Sequence, residues 1–137
     1  AGLLFIFSIA VTPGLARLNE EEYYRAMKFI NQVILSPIFF IVFIGPVFTM
    51  PFLTYMSRND SNMFIFTLFS SILYLLGVIL VTTLRNVPLN NKLEKLKSKD
   101  FKDVFLWYKK PWNFWNNIRT FFGITSFLFL TINLIFL

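Results

Sequence analysis

Long uncharged runs alternate with short charged links along this chain. Residues 37–56 and 63–83 hold twenty and twenty-one residues without a charge. At about 1.5 Å rise per residue, about twenty apolar residues match the roughly 30 Å hydrocarbon core of a bilayer. A third run, 120–137, starts a turn earlier near Asn116, which predicts a span over about 117–137. The first run, from Gly2 to Ala16, is apolar but short. It reads as a span over about 1–16 whose N-terminal part precedes Ala1; a re-entrant or interfacial segment is the other reading. A cleaved signal peptide fits less well, because the apolar run continues into what would be the mature chain. The expected fold is all-α: a four-helix transmembrane bundle forming a single membrane domain over 1–137. Short amphipathic interfacial helices are expected on its cytoplasmic side.

The links carry helical patterns of their own. Asn19 stands three positions before Glu22, a helix-start signature, and Glu20, Glu21 and Glu22 suit the first turn of a helix dipole. Tyr23, Met27, Ile30 and Ile34 follow at helical spacing, predicting an amphipathic helix over about 20–35. Pro37 should bend the join to the next span; Pro46 and Pro51 should bend the span itself. In the second link, Asn86 can cap a helix with Pro88 near its first turn. Leu89, Leu93 and Leu96 then predict a short helix on the inner leaflet, with Lys92, Lys95, Lys97 and Lys99 mostly on its other faces. Trp107, Tyr108, Trp112 and Trp115, with Lys109 and Lys110 among them, suit a membrane–water interface.

Composition agrees with the bilayer as solvent. The chain is 56% hydrophobic and 15% charged, against about 25% charged residues in a typical soluble domain. Charge then sets an orientation. With four spans, the links 17–36 and 84–118 share one side and the link 57–62 the other. The first side carries twelve of the thirteen basic residues and the second only Arg58. By the positive-inside rule both basic links face the cytoplasm, with both chain ends outside. The expected location is the cytoplasmic membrane of a bacterium. The net charge of +6 reads as topology and lipid contact, not as a nucleic-acid footprint. Cysteine and histidine are absent. That removes disulfides, Cys/His zinc sites, thiol redox chemistry and His-based triads. The seven carboxylates form no metal-ligand pattern, so no metal is expected.

The candidate chemistry gathers at the cytoplasmic ends of the spans: Asn31, Asn86, Asn90, Asn91, Trp112, Trp115, Asn116 and Arg119. In a helix over 111–119, Trp112, Asn116 and Arg119 fall at i, i+4 and i+7 on one face, and Trp115 stands four before Arg119, within cation–π reach. An aromatic wall, amide donors and one fixed cation suit a flat, oxygen-bearing apolar molecule. Plainer roles compete. Arg17 and Arg85 read more simply as topology anchors, Asn86 as a helix cap, and the tryptophans as an interface belt. The uncharged span centres argue against a proton relay or ion pump.

The order of short motifs resembles a known family. They are Val-Thr-Pro-Gly-Leu (11–15), Ala-Met-x-x-Ile-Asn-Gln (26–32), Leu-Ser-Pro-Ile-Phe (35–39), Asn-Val-Pro-Leu-Asn-Asn-Lys-Leu (86–93) and Trp-x-x-Trp-Asn-x-x-Arg-Thr (112–120). In this order and spacing the chain resembles the anthrone oxygenase-like membrane proteins, also called the DUF1772 family. The resemblance implies a four-helix membrane protein. It also brings an activity named from fungal members, which oxidise anthrones to anthraquinones without a metal or flavin. It places Pro13, Asn31, Pro37, Asn86, Pro88, Asn90, Asn91, Trp115, Asn116 and Arg119 on motif positions.

The resulting expectation is a cytoplasm-facing pocket for a small apolar or aromatic ligand in a cofactor-independent oxygenase. Arg119 and Asn116 would be the catalytic pair, polarising and orienting a carbonyl; Asn31, Asn86, Asn90, Asn91, Trp112 and Trp115 would bind the ligand. The alternative is a non-catalytic scaffold or subunit that binds a partner protein, a second copy or lipid.

Overall fold

The computed structural model describes residues 1–96, 101 and 103–135. Lys97, Lys99, Lys102 and the last two residues of the fourth predicted span lie outside the described residues. Within them every regular element is a helix, with no strand. Five helices follow one another: α1 (Gly2–Leu15), α2 (Glu20–Val33), α3 (Pro37–Met56), α4 (Ser61–Glu94) and α5 (Lys110–Ile135). A π-helical stretch, Phe105–Lys109, leads directly into α5.

Helix starts are set locally. Asn19 Oδ1 accepts from the Glu22 backbone N–H at 2.9 Å, and Glu22 Oε2 accepts from that of Asn19 at 3.1 Å, so the capping box predicted for α2 is present. Helix α2 ends at Val33, before the expected Leu35, because Pro37 disfavours helical backbone at Ser36. Ser36 is extended instead, and its side chain caps α3 by accepting from the Phe39 N–H at 3.3 Å. Asp60 caps α4 in the same way, through the Met63 N–H at 3.0 Å.

Helices α3 and α4 are long and apolar enough to cross a membrane, with mean hydropathies of 2.0 and 2.5 over their most apolar windows. A core helix of a soluble protein would bury such a window, but α3 buries only 17% of its own. Its large apolar side chains point outward: Ile38, Ile41 and Phe48 are each more than 70% exposed. Helix α1 is apolar but shorter.

The inner-leaflet helix predicted from Asn86 is not a separate element. Ser61–Glu94 is one helix of 34 residues, and Asn86 has helical backbone angles with no side-chain cap. Pro88 lacks the N–H that would continue the ladder. The π-helical stretch Thr82–Asn86 immediately precedes it and widens the helix where that bond is missing.

Packing runs α1 on α5, α5 on α4 and α4 on α3. Small and hydroxylated side chains close these contacts. Ser70 and Ser126 each donate to the other's backbone carbonyl, at 2.7 and 2.9 Å, joining α4 to α5. Gly77 abuts Phe122, with no room for a Cβ. Thr54 and Ser71 bond at 3.0 Å between α3 and α4, and Ser8 and Thr120 at 2.9 Å between α1 and α5. Such contacts let helix backbones approach closely. Helix α2 crosses the end of this assembly. It buries Tyr23, Tyr24 and Met27 against Leu93, Tyr108 and Trp112, while Phe29 and Val33 face outward.

Candidate functional site

All five helices contribute to a cavity of about 300 Å3. Helix α1 supplies Leu4 and Phe7, α2 supplies Asn31, α3 supplies Phe39 and Phe43, α4 supplies Thr82 to Glu94 in part, and α5 supplies Trp112, Asn116 and Arg119. Seven of the eight residues singled out in the sequence line it: Asn31, Asn86, Asn90, Asn91, Trp112, Asn116 and Arg119. Trp115 does not. It lies under Arg85, whose guanidinium carbon is 4.7 Å from its ring. The cation–π partner expected for Trp115 was Arg119. Helical rotation decides otherwise: Arg119 sits 5.6 Å from the ring of Trp112, seven positions back on the same face.

Arg119 is 8% exposed, and Thr82 and Asn116 hold its guanidinium. One terminal nitrogen donates to Thr82 Oγ1 at 3.1 Å and the other to Asn116 Oδ1 at 2.7 Å. Asn116 is fixed in turn, because its amide donates to Ser8 Oγ at 2.8 Å. Arg119 Nε has no hydrogen-bond partner among the described residues. Nor does any described carboxylate pair with Arg119; the ion pair among the described residues joins Arg25 to Glu21 on the surface of α2. A buried cation without an acid is costly unless something else supplies the negative charge.

A second network forms the aromatic wall. Tyr108 and Trp112 both donate to Asn90 Oδ1, at 2.9 and 2.8 Å. Asn31 donates to the Tyr108 hydroxyl at 3.4 Å. These bonds set the amide of Asn90 with its oxygen toward the two rings. Asn86 donates to the Trp112 carbonyl at 3.3 Å, while its own buried Oδ1 lacks a partner among the described residues. Burial pushes the Tyr108 phenol far above its usual range, outweighing the hydrogen bond from Asn31 and the nearby guanidinium. Burial pushes Tyr23 up as well. Both phenols are therefore neutral near pH 7.

Sequence reasoning passed over Thr82, Ser8, Tyr108 and Glu94. Thr82 and Ser8 stand inside apolar runs, where hydroxyls read as packing residues. Tyr108 was placed in the interface belt. Glu94 counts among carboxylates that form no metal-ligand pattern; it lines the cavity, with Oε1 accepting from Gln32 at 2.7 Å. It is the carboxylate among the cavity-lining residues. The continuation of α4 past Asn86, invisible while Asn86 was read as a cap, is what carries it there.

A family profile described as anthrone oxygenase matches residues 38–129, a range that holds six of the seven lining residues expected from the sequence, all but Asn31. The chain matches no curated protein and no solved structure.

Proposed function

Because the chain belongs to the anthrone oxygenase family, we propose that it is a multi-pass membrane protein that binds a small apolar or aromatic ligand in this cavity and oxidises it without a bound cofactor. The supporting observation is the cavity itself: phenylalanine walls, an ordered row of amides and one buried guanidinium with an unpaired nitrogen. Two apolar helices that keep their large side chains outward support the membrane placement. In this reading α1, α3, α4 and α5 form a four-helix transmembrane bundle, and α2 lies in the cytoplasmic interface. The links 17–36 and 84–118 face the cytoplasm. A reporter fused to the C-terminus is then expected to score as extracytoplasmic; a cytoplasmic score overturns that orientation.

In a tricyclic ketone with a CH2 flanked by two aryl rings, loss of one proton yields an enolate. Arg119 stabilises the enolate oxygen, since a fixed donor in a water-poor site acts strongly on developing charge. Asn116 holds Arg119 and orients the oxygen. Glu94 is the base that the cavity supplies, and the amides of Asn86, Asn90 and Asn91 bind the remaining oxygens. Molecular oxygen then reacts with the enolate carbon. The CH2 becomes C=O, and the second oxygen atom leaves as water with the two hydrogens. The test uses protein in lipid nanodiscs with anthrone under air and a metal chelator. Oxygen uptake with quinone formation is expected, and Glu94→Gln should bind anthrone yet turn it over at least about a hundredfold more slowly. If the unmodified protein neither binds nor turns over anthrone, this reading is overturned. Binding without turnover would favour the alternative, a non-catalytic scaffold that holds a lipid or partner.

A further inference from the structure

A second apolar hollow lies against the first. It is a groove of about 470 Å3 between α1 and α2, lined by Phe7, Val11, Phe29, Ile30, Val33 and Ile34. Phe7, Ile30 and Ile34 also line the cavity, so the two hollows share these three residues. The groove is wholly apolar and its outer residues Phe29 and Val33 are exposed, at 65% and 78%. Arg119, 8% exposed, lines the cavity and not the groove, with Nε unpartnered and with no carboxylate on it among the described residues. The groove is lined by apolar residues alone, while the amides and the cation belong to the lining of the cavity.

We infer that the cavity and groove together take a single-chain carboxylate amphiphile, with its head on Arg119 and its chain leaving between α1 and α2 toward the lipid. This rests on the cavity being a ligand site, as proposed above, and names a different class of occupant from a neutral ketone. Three features favour it. A carboxylate supplies the negative charge that the buried guanidinium lacks, through charge-assisted hydrogen bonds from its terminal nitrogens, each of which carries a second N–H. The groove has no polar side chain, which suits a saturated chain and not a second polar group. The outward Phe29 and Val33 place the groove's mouth where hydrocarbon would meet it.

The test reads the cavity directly. With Trp107 and Trp115 changed to Phe, Trp112 is the one indole left, and a bromine near the head of a bound chain quenches it. In nanodiscs of zwitterionic lipid, 2-bromododecanoate is expected to quench at a concentration about tenfold lower than 2-bromododecanol. Arg119→Gln should abolish that preference while leaving the weaker quenching by the alcohol. Val33→Asp, in the groove alone, should weaken the dodecanoate about tenfold and leave 2-bromobutanoate unchanged. Equal potency of acid and alcohol, or an acid preference that survives Arg119→Gln, overturns the inference while the cavity reading stands. Silence from both probes also overturns it, and anthrone binding then decides separately whether the cavity reading survives. If phosphatidylglycerol in the nanodisc displaces the dodecanoate, a phospholipid headgroup is the occupant and the single-chain assignment fails.

Discussion

Arg119→Ala is expected to lower turnover or retention of an oxygen-bearing ligand by about a hundredfold or more, near 3 kcal/mol, while leaving the fold intact. That size follows from removing a preorganised donor aimed at a developing oxyanion. The fold should survive because two opposing effects nearly cancel. The variant loses the bonds from Arg119 to Thr82 Oγ1 and Asn116 Oδ1, each about 1–3 kcal/mol when the donor is charged. It also removes a buried cation that no described carboxylate neutralises, and such burial costs several kcal/mol. Size-exclusion elution and thermal unfolding in detergent should therefore match the parent within a few degrees, while anthrone binding falls. Arg119→Lys should recover only part of the loss, since an ammonium cannot hold Thr82, Asn116 and a ligand in one plane. Parent-like binding and turnover in Arg119→Ala would take the residue out of the site.

Gly77→Ala tests the packing that holds the site together, and about 2 kcal/mol of destabilisation is expected. A Cβ at this position would fall on Phe122 Cβ and the root of its ring, not on the far end of a flexible chain. Rotating the ring cannot relieve that overlap, so α4 and α5 must separate. Ser70 and Ser126 share this interface, and their paired bonds would stretch with it. Gly45→Ala is the control, because nothing lies within 4 Å of a Cβ there; it should be neutral or slightly stabilising through helix propensity. Adding Phe122→Ala should rescue much of the Gly77→Ala loss. A parent-like melting curve for Gly77→Ala would mean that the two helices do not pack this closely.

The links show most clearly where reading residues in order succeeds. Asn19 and Glu22 announce the start of α2, and the capping box forms as expected because both partners lie within one turn. Asn86 followed by Pro88 gives an equally local signal and misleads. The preceding helix does not stop; its backbone widens into π turns and runs on to Glu94. Local rules treat Pro as a boundary, and only the packed neighbours show that the break is absorbed. Arg119 and Trp115 fail for a related reason. Four-residue spacing allows their contact, but Trp115 turns toward Arg85 once Arg119 is committed to Thr82 and Asn116.

By itself the sequence determined what depends on neighbours along the chain. Uninterrupted apolar runs predicted α3 and the first part of α4, caps and prolines placed most of the joins, and motif order pointed to the family. It also narrowed the candidate polar residues to those near 31, 86–91 and 112–119, since charged and amide side chains concentrate where the apolar runs end. The tertiary structure alone decided that seven of these residues share one cavity, that Thr82 holds its cation together with Asn116, which Ser8 anchors in turn, and that Glu94 reaches its lining. Those contacts join residues up to 108 positions apart. Periodicity assigns a side chain to a face, but which faces meet depends on how closely small residues such as Gly77 and Ser70 let the helices approach.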